Sequence, residues 1–119
     1  MKTIAFHEET DGFCGSFLSN TADMKTVILI MNDDGPQDFL SKVGQKWLNR
    51  FGVSVMAVGP EKNRQGLHSW PLENVENAVH YLESQSYQKI GICGISSGSN
   101  MALSAASRIP DITLTIALT

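Results

Sequence analysis

The residues with the clearest capacity for chemistry are Gly94-Ile95-Ser96-Ser97-Gly98. A serine with glycine two residues to either side is the pattern of a sharp strand-to-helix turn. The central residue takes strained φ/ψ there, and the glycines keep Cβ atoms out of the way. Ser96 is then a nucleophile presented at the head of a helix. The helix's free amides, beginning with that of Ser97, can meet a developing oxyanion. The bland alternative is a Gly/Ser turn closing an ordinary strand-helix unit, so the flanks decide. Ile90, Ile92 and Ile95 with Gly91, Cys93 and Gly94 make a compact apolar run, as a parallel strand covered on both faces requires. Beyond the turn, Met101, Ala102, Leu103, Ala105 and Ala106 favour a helix, which Pro110 stops after Ile109.

The elements that must position this turn follow from periodicity. Thr3 to Phe6 and Gly12 to Leu18 read as two short strands around the polar turn Glu8 to Asp11, an antiparallel hairpin. After a connector at 20–23, Thr26 to Met31 is a dense β-branched run and hence a central strand, ended by the turn Asn32-Asp33-Asp34-Gly35-Pro36. A helix is predicted from about Gln37 to Phe51, with Phe39, Val43, Trp47 and Phe51 recurring every fourth residue, Leu40 and Leu48 widening the stripe, and Gly52 as the stop. Trp47 is expected in the core. Val53 to Val58 is the next strand, followed by a long polar loop from Gly59. Pro71 suits a helix first turn, and Leu72, Val75, Val79 and Leu82 line one face up to about Ser84. Residues 112–118 alternate like a strand. The order is a hairpin region over 1–23, then a βαβαβαβ core over 24–119, one domain of the α/β class. Strands and helices alternating in this way form a doubly wound, mostly parallel sheet with helices on both faces. Its site lies beyond the carboxyl ends of the strands, where the loops at 32–36, 59–70 and 94–98 meet.

Composition bounds the function. The chain has 119 residues, 42% hydrophobic and 18% charged, enough for one globular core. A net charge of −3 with no basic run argues against nucleic acid or an anionic membrane as partner. Cys14 and Cys93 are too far apart for a metal or redox motif. Cys93 is expected buried in its strand and Cys14 at the surface or in the hairpin. The first residues lack the apolar core of a signal peptide, and no apolar run is long enough to cross a bilayer, so a soluble, reduced cytoplasmic protein is the expectation. No cofactor is implied. No His, Asp, Glu or Cys set has ligand spacing, so no metal is expected.

The combination of VILIMNDDGP, a Gly-Pro loop leading to WPLENVENAVHYLES, and KIGICGISSGSNMALSAASRIPDI resembles the α/β-hydrolase family. Within it, the sequence looks most like the C-terminal catalytic domain of acyl-CoA thioesterases and bile-acid-CoA:amino-acid N-acyltransferases, and next like dienelactone-hydrolase-like enzymes. The likeness covers most of 25–118 and is strongest from Pro71 to Ile112. It implies Ser96 as nucleophile, between elbow glycines Gly94 and Gly98, acting on a small-molecule ester or acyl thioester. It also implies an oxyanion hole made by the Ser97 amide and one from Asp33 or Asp34, where the family usually has glycine. Only a backbone amide is required there, although a carboxylate turned inward would oppose the oxyanion's charge. Alternatively, Asp33 and Asp34 form a turn and a helix N-terminal cap.

The family's triad runs serine, acid, histidine along the chain. After Ser96 this sequence has one acid, Asp111, and no histidine. A serine hydroxyl without a base is a poor nucleophile. His68 is the one histidine on a loop at the correct side of the sheet, yet nothing in the sequence places it beside Ser96. His80 is expected at the boundary of the second helix's apolar stripe, and His7 in the hairpin, distant from the site. The sequence therefore reads as the N-terminal half of the fold, with acid and histidine in a complementary C-terminal segment, and with an open edge after Leu118 that favours self-association. Two other readings stay open. One is a non-catalytic remnant or folding module that keeps the turn structurally. The other is a flavodoxin-like domain binding a small ligand with the amides after Gly94, although no phosphate-loop glycine pattern follows any strand.

Overall fold

A computed structural model describes residues 3–32, 35–60, 72–95 and 98–118, with the side chain of 118 left aside. Six strands and four helices follow one another as β1 (Ile4–Phe6), α1 (Glu8–Asp11), β2 (Gly15–Leu18), β3 (Thr26–Met31), α2 (Phe39–Asn49), β4 (Ser54–Val58), α3 (Glu73–Ser84), β5 (Lys89–Ile95), α4 (Gly98–Arg108) and β6 (Ile112–Leu118). The strands form one sheet in the order β1-β2-β4-β3-β5-β6. β1 and β2 are the expected antiparallel hairpin, with Ile4 opposite Phe17. Its connection is a single helical turn that ends at Gly12, with φ 81°. β2 also runs antiparallel to β4, whereas β3/β4, β3/β5 and β5/β6 are parallel.

The order places a switch point at β3. From β3 the chain crosses by α2 to β4 on one side, and from β4 it crosses by α3 over β3 to β5 on the other. Right-handed crossovers in opposite directions put the helices on opposite faces, α2 on one and α3 with α4 on the other. The larger core forms under α3 and α4. Val75, Val79 and Leu82 of α3 and Ala102 and Ala105 of α4 pack on Leu29, Met31, Ile90 and Ile92. The spacing that predicted the buried face of α3 is the one observed.

For α2 the expected orientation is reversed. Phe39, Val43, Trp47 and Phe51 are 75, 48, 57 and 70% exposed, and the buried residues of the helix are Ser41, Gln45 and Asn49. These three also recur every fourth residue, and each donates to main-chain carbonyls on this side of the sheet. The Ser41 hydroxyl donates to Gly35 O at 2.8 Å. Gln45 Nε2 donates to Ser16 O at 2.7 Å and Val55 O at 3.1 Å. Asn49 Nδ2 donates to Leu18 O and Val53 O at 3.2 and 3.0 Å. An apolar face pressed here would forgo these hydrogen bonds, each worth about 0.5–1.5 kcal/mol. Close approach also favours small residues: a Cβ on Gly44 would lie 2.5 Å from Ile30 Cδ1. Trp47 is therefore a surface residue, packed edge-on against Phe51 at 5.1 Å between ring centroids.

Cys93 is buried in β5 as expected, and Cys14 is buried too rather than at the surface, its carbonyl accepting from the Gly59 amide at 3.3 Å.

Candidate active site

The strand that carries the serine motif is placed as the motif requires. β5 lies between β3 and β6, its residues 90–94 are buried, and Gly94 is level with Met31 of β3 and Ala117 of β6. It ends at Ile95, and α4 begins at Gly98. Ser96 and Ser97, which join the two, lie outside the described residues, as do Asp33, Asp34 and His68. What the structure provides is the frame around them.

That frame is tight at the ends of β3 and β4. The Gly35 amide donates to Asn32 O, and the buried Asn32 sends its Nδ2 to Asp38 Oδ2 at 2.9 Å. Asp38 also accepts from the Leu40 amide at 3.0 Å, so Asp38 is the N-cap of α2. The capping role considered for Asp33 and Asp34 thus belongs to Asp38. Gly35 has φ 98°, and a Cβ on it would sit 2.7 Å from Pro60 O; a Cβ on Gly59 would sit 2.9 Å from Gly35 Cα. The two loops touch backbone to backbone through their glycines. The repeated Gly-Pro pair, Gly35-Pro36 and Gly59-Pro60, was the available signal for this contact, whereas the Asn32–Asp38 hydrogen bond that ties the end of β3 to the cap of α2 has no such signal.

The described histidines and the one acid after Ser96 lie elsewhere. Asp111 precedes β6, whose Ile112 is level with Ile90, five residues from the Ile95 end of β5 or roughly 17 Å along the strand. His80 sits close enough to affect Glu83, whose carboxyl hydrogen-bonds Asp111, so it shares that far end. Sharing a proton with Asp111, together with burial and charge repulsion, holds Glu83 above the usual carboxylate range. His7 is at the correct end, because Phe6 pairs with Gly15 and Gly15 with Val58 at the carboxyl end of β4. It nevertheless directly follows β1, four strand spacings or about 19 Å from β5. Its amide donates to Asp11 Oδ2 at 2.9 Å. None of these groups comes within hydrogen-bond reach of the end of β5. Cys93, three residues before Ser96, does not compete as nucleophile, since burial raises its thiol pKa and disfavours the thiolate. Among the described residues no group of three or more His, Cys, Asp or Glu could hold a metal ion, and no helix is long and apolar enough to cross a membrane.

A six-stranded, mostly parallel sheet with two antiparallel leading strands, a switch point at its third strand and a glycine-flanked serine after its fifth has close structural counterparts. An esterase of Pyrococcus furiosus superposes with a TM-score of 0.73 at 18% identity, over 96% of this chain and 47% of that one. This chain has the α/β-hydrolase fold. A dienelactone hydrolase from Anabaena variabilis matches at a TM-score of 0.72 and 13% identity, over 98% of this chain and 62% of its own. A third neighbour, a putative α/β hydrolase of Agrobacterium tumefaciens, gives 0.71 at 12% identity, over 97% and 58%. The chain thus spans about half the length of the α/β hydrolases it matches. Residues 70–119 match the family model described as BAAT/acyl-CoA thioester hydrolase C terminal, the region in which the sequence resemblance is strongest. No curated protein matches the chain by sequence.

Proposed function

We propose that the protein is a serine hydrolase that cleaves an ester or acyl thioester through an acyl-enzyme on Ser96. The observation that carries this reading is the junction of β5 and α4: a buried parallel strand ends one residue before Ser96, and an eleven-residue helix starts two residues after it. A serine at that junction faces the amino end of a helix, where free amides and the helix dipole favour negative charge. In the proposed reaction Ser96 Oγ attacks the carbonyl carbon, and its proton passes to a histidine. The resulting oxyanion is held by the Ser97 amide and an amide at Asp33 or Asp34. Collapse expels the alcohol or thiol, which takes the proton, and water then releases the acid. The longer neighbours carry about as much chain again outside the matched part, and we assign the triad acid and histidine to such a portion. Asp111 and His80 are excluded from that role by their position.

The family match to acyl-CoA thioester hydrolases makes an acyl thioester the first substrate to try, ahead of simple esters. The deciding experiment compares wild type and Ser96→Ala on p-nitrophenyl acetate and on acyl-CoA, with a fluorophosphonate label read by mass spectrometry. The expected result is one adduct, on Ser96, and hydrolysis lost in Ser96→Ala with the fold retained by circular dichroism. Activity that persists in Ser96→Ala would overturn the assignment. A wild-type chain with neither label nor activity, even when joined to polypeptide carrying an acid and a histidine, would favour a structural remnant.

A further inference from the structure

On the face of the sheet that carries α2, but at the opposite side from the serine junction, the chain encloses a cleft of about 440 Å³. Its floor is the hairpin strand β2, through Ser16 and Leu18, and its wall is the flank of α2 that carries Lys42, Lys46 and Arg50. The three cations are one helical turn apart, so their stems rise from one side of the helix over roughly 12 Å. Gln45 is fixed between wall and floor because both its amide hydrogen bonds go to main-chain carbonyls of β2 and β4. The cleft is therefore held open mainly by sheet and helix, with Thr3, just before β1, completing its lining.

Its charge is one-sided. The chain carries 9 Lys and Arg against 12 Asp and Glu, yet three of those cations converge on a cleft with no acidic residue in its lining. None of the three has an ion-pair partner among the described residues. Cations on a surface helix normally alternate with acids at i±4, which stabilises the helix by a few tenths of a kcal/mol per pair; here only Lys42 has one, the N-cap Asp38, whose Oδ2 is engaged by Asn32 and the Leu40 amide, and positions 42, 46 and 50 repel one another. A multivalent anion relieves that repulsion. The volume lies in the range of small-ligand pockets, and a concave cleft of this size in a net-acidic chain suits a small molecule, not a nucleic-acid strand.

We propose that this cleft binds a small linear oligophosphate, of the di- or triphosphate class that nucleotides carry. Three charges in a row match a chain of phosphates and not a single phosphate, and the Ser16 floor lies beside the row. The site is separate from the serine chemistry, since β2 is three strand spacings, about 14 Å, from β5. It therefore does not depend on the hydrolase reading.

The test is isothermal titration of the chain with sodium tripolyphosphate, orthophosphate and adenosine diphosphate at low and physiological salt. Tripolyphosphate should bind at least tenfold tighter than orthophosphate, with an affinity that falls steeply as salt is added. Lys42→Glu/Lys46→Glu and, separately, Arg50→Glu should each weaken it at least tenfold, while Lys25→Glu, outside the cleft, should change it less than twofold. All three cleft positions are exposed, and unchanged thermal melts would show that the variants fold. Adenosine diphosphate binding as tightly as tripolyphosphate identifies the phosphate chain as the recognised group; tighter binding adds a base contact, and both support the site. Equal weakening by Lys25→Glu, or orthophosphate binding as tightly as tripolyphosphate, would reduce the effect to general charge and overturn the proposal. So would binding to phosphatidylserine vesicles without any binding of tripolyphosphate.

Discussion

Gln45 and Trp47 stand two residues apart on α2 and face opposite ways: Gln45 is 2% exposed with its amide bonded to Ser16 O and Val55 O, whereas Trp47 is 57% exposed. Two residues turn an α-helix by about 200°, so one of them had to face the sheet. Removing the buried amide takes away both hydrogen bonds and leaves a cavity under the helix. Gln45→Ala should cost about 2–4 kcal/mol, and Trp47→Gln less than about 1 kcal/mol, the loss of an exposed ring and its contact with Phe51. Urea denaturation of the two variants measures both. A core role for Trp47 would reverse the ranking.

That pair also shows how far the sequence could be read. Amphipathic spacing reveals two faces of a helix but not which is buried. For α3 the apolar face meets an apolar sheet surface, and the usual rule holds. For α2 the sheet presents main-chain carbonyls and close contacts at Ile30, which amides, Ser41 and Gly44 answer better than leucine or tryptophan. The strands were legible because Thr26–Met31 and Lys89–Ile95 are buried on both faces and read as continuous apolar runs. The strand and helix on either side of the serine motif were legible because both are local in sequence. The Asn32–Asp38 cap and the Gly35–Gly59 contact join residues from different loops, and no local pattern encodes that.

The loop contact beneath the proposed oxyanion hole is sensitive to a single methyl group. At Gly35, φ is 98° and the obstacle is the Pro60 carbonyl, which belongs to the main chain and cannot rotate aside. Gly35→Ala should destabilise the protein by about 1–3 kcal/mol, through strain and overpacking, and displace the loop that carries Asp33 and Asp34. Gly52 also has positive φ, 91°, but a Cβ there would meet nothing closer than Ala22 Cβ at 4.0 Å, so Gly52→Ala should cost less. Thermal melts that rank the two variants equally would mean that the contact with Pro60 does not matter.

Titration of the carboxylates should act on stability in opposite directions at two places. Asp23 accepts from the amides of Lys25 and Thr26, and these bonds hold its carboxyl below the usual range. Its contribution is present above the ordinary carboxylate range and is lost as pH falls through the lowered pKa. Glu83, raised mainly by its hydrogen bond with Asp111, behaves in the reverse sense: the folded state holds the proton more tightly, so the contribution is present in acid and lost as pH rises through the raised pKa. Asp111→Asn should therefore lower the Glu83 pKa and flatten its part of the stability profile. Proton-coupled NMR shifts of the Glu83 carboxyl in wild type and variant give the answer, with no downward shift counting against the pairing. The same variant should retain any hydrolytic activity, because Asp111 lies at the far end of the sheet.

The exposed apolar surface makes a last prediction about association. Phe39, Leu40, Val43, Trp47 and Phe51 on α2 share a face of the molecule with Leu114 and Ile116 of β6, which are level with Gly91 and Cys93 and point to the α2 side. Among the described residues β6 pairs with β5 alone, so its outer main-chain groups are also open. Parallel sheets are normally covered on both faces, and apolar patches of this extent favour contact with another surface. The 119-residue chain should self-associate, with a mass by light scattering that rises with concentration. Trp47→Lys with Leu114→Lys should lower that mass at little cost in stability, since both positions are more than half exposed. If instead the double variant associates as strongly as wild type, pairing through the open edge of β6 is the cause, and a proline at an outward-facing amide of that strand should abolish it. A monomer at all concentrations would show that neither the stripe nor the edge is sticky enough to matter.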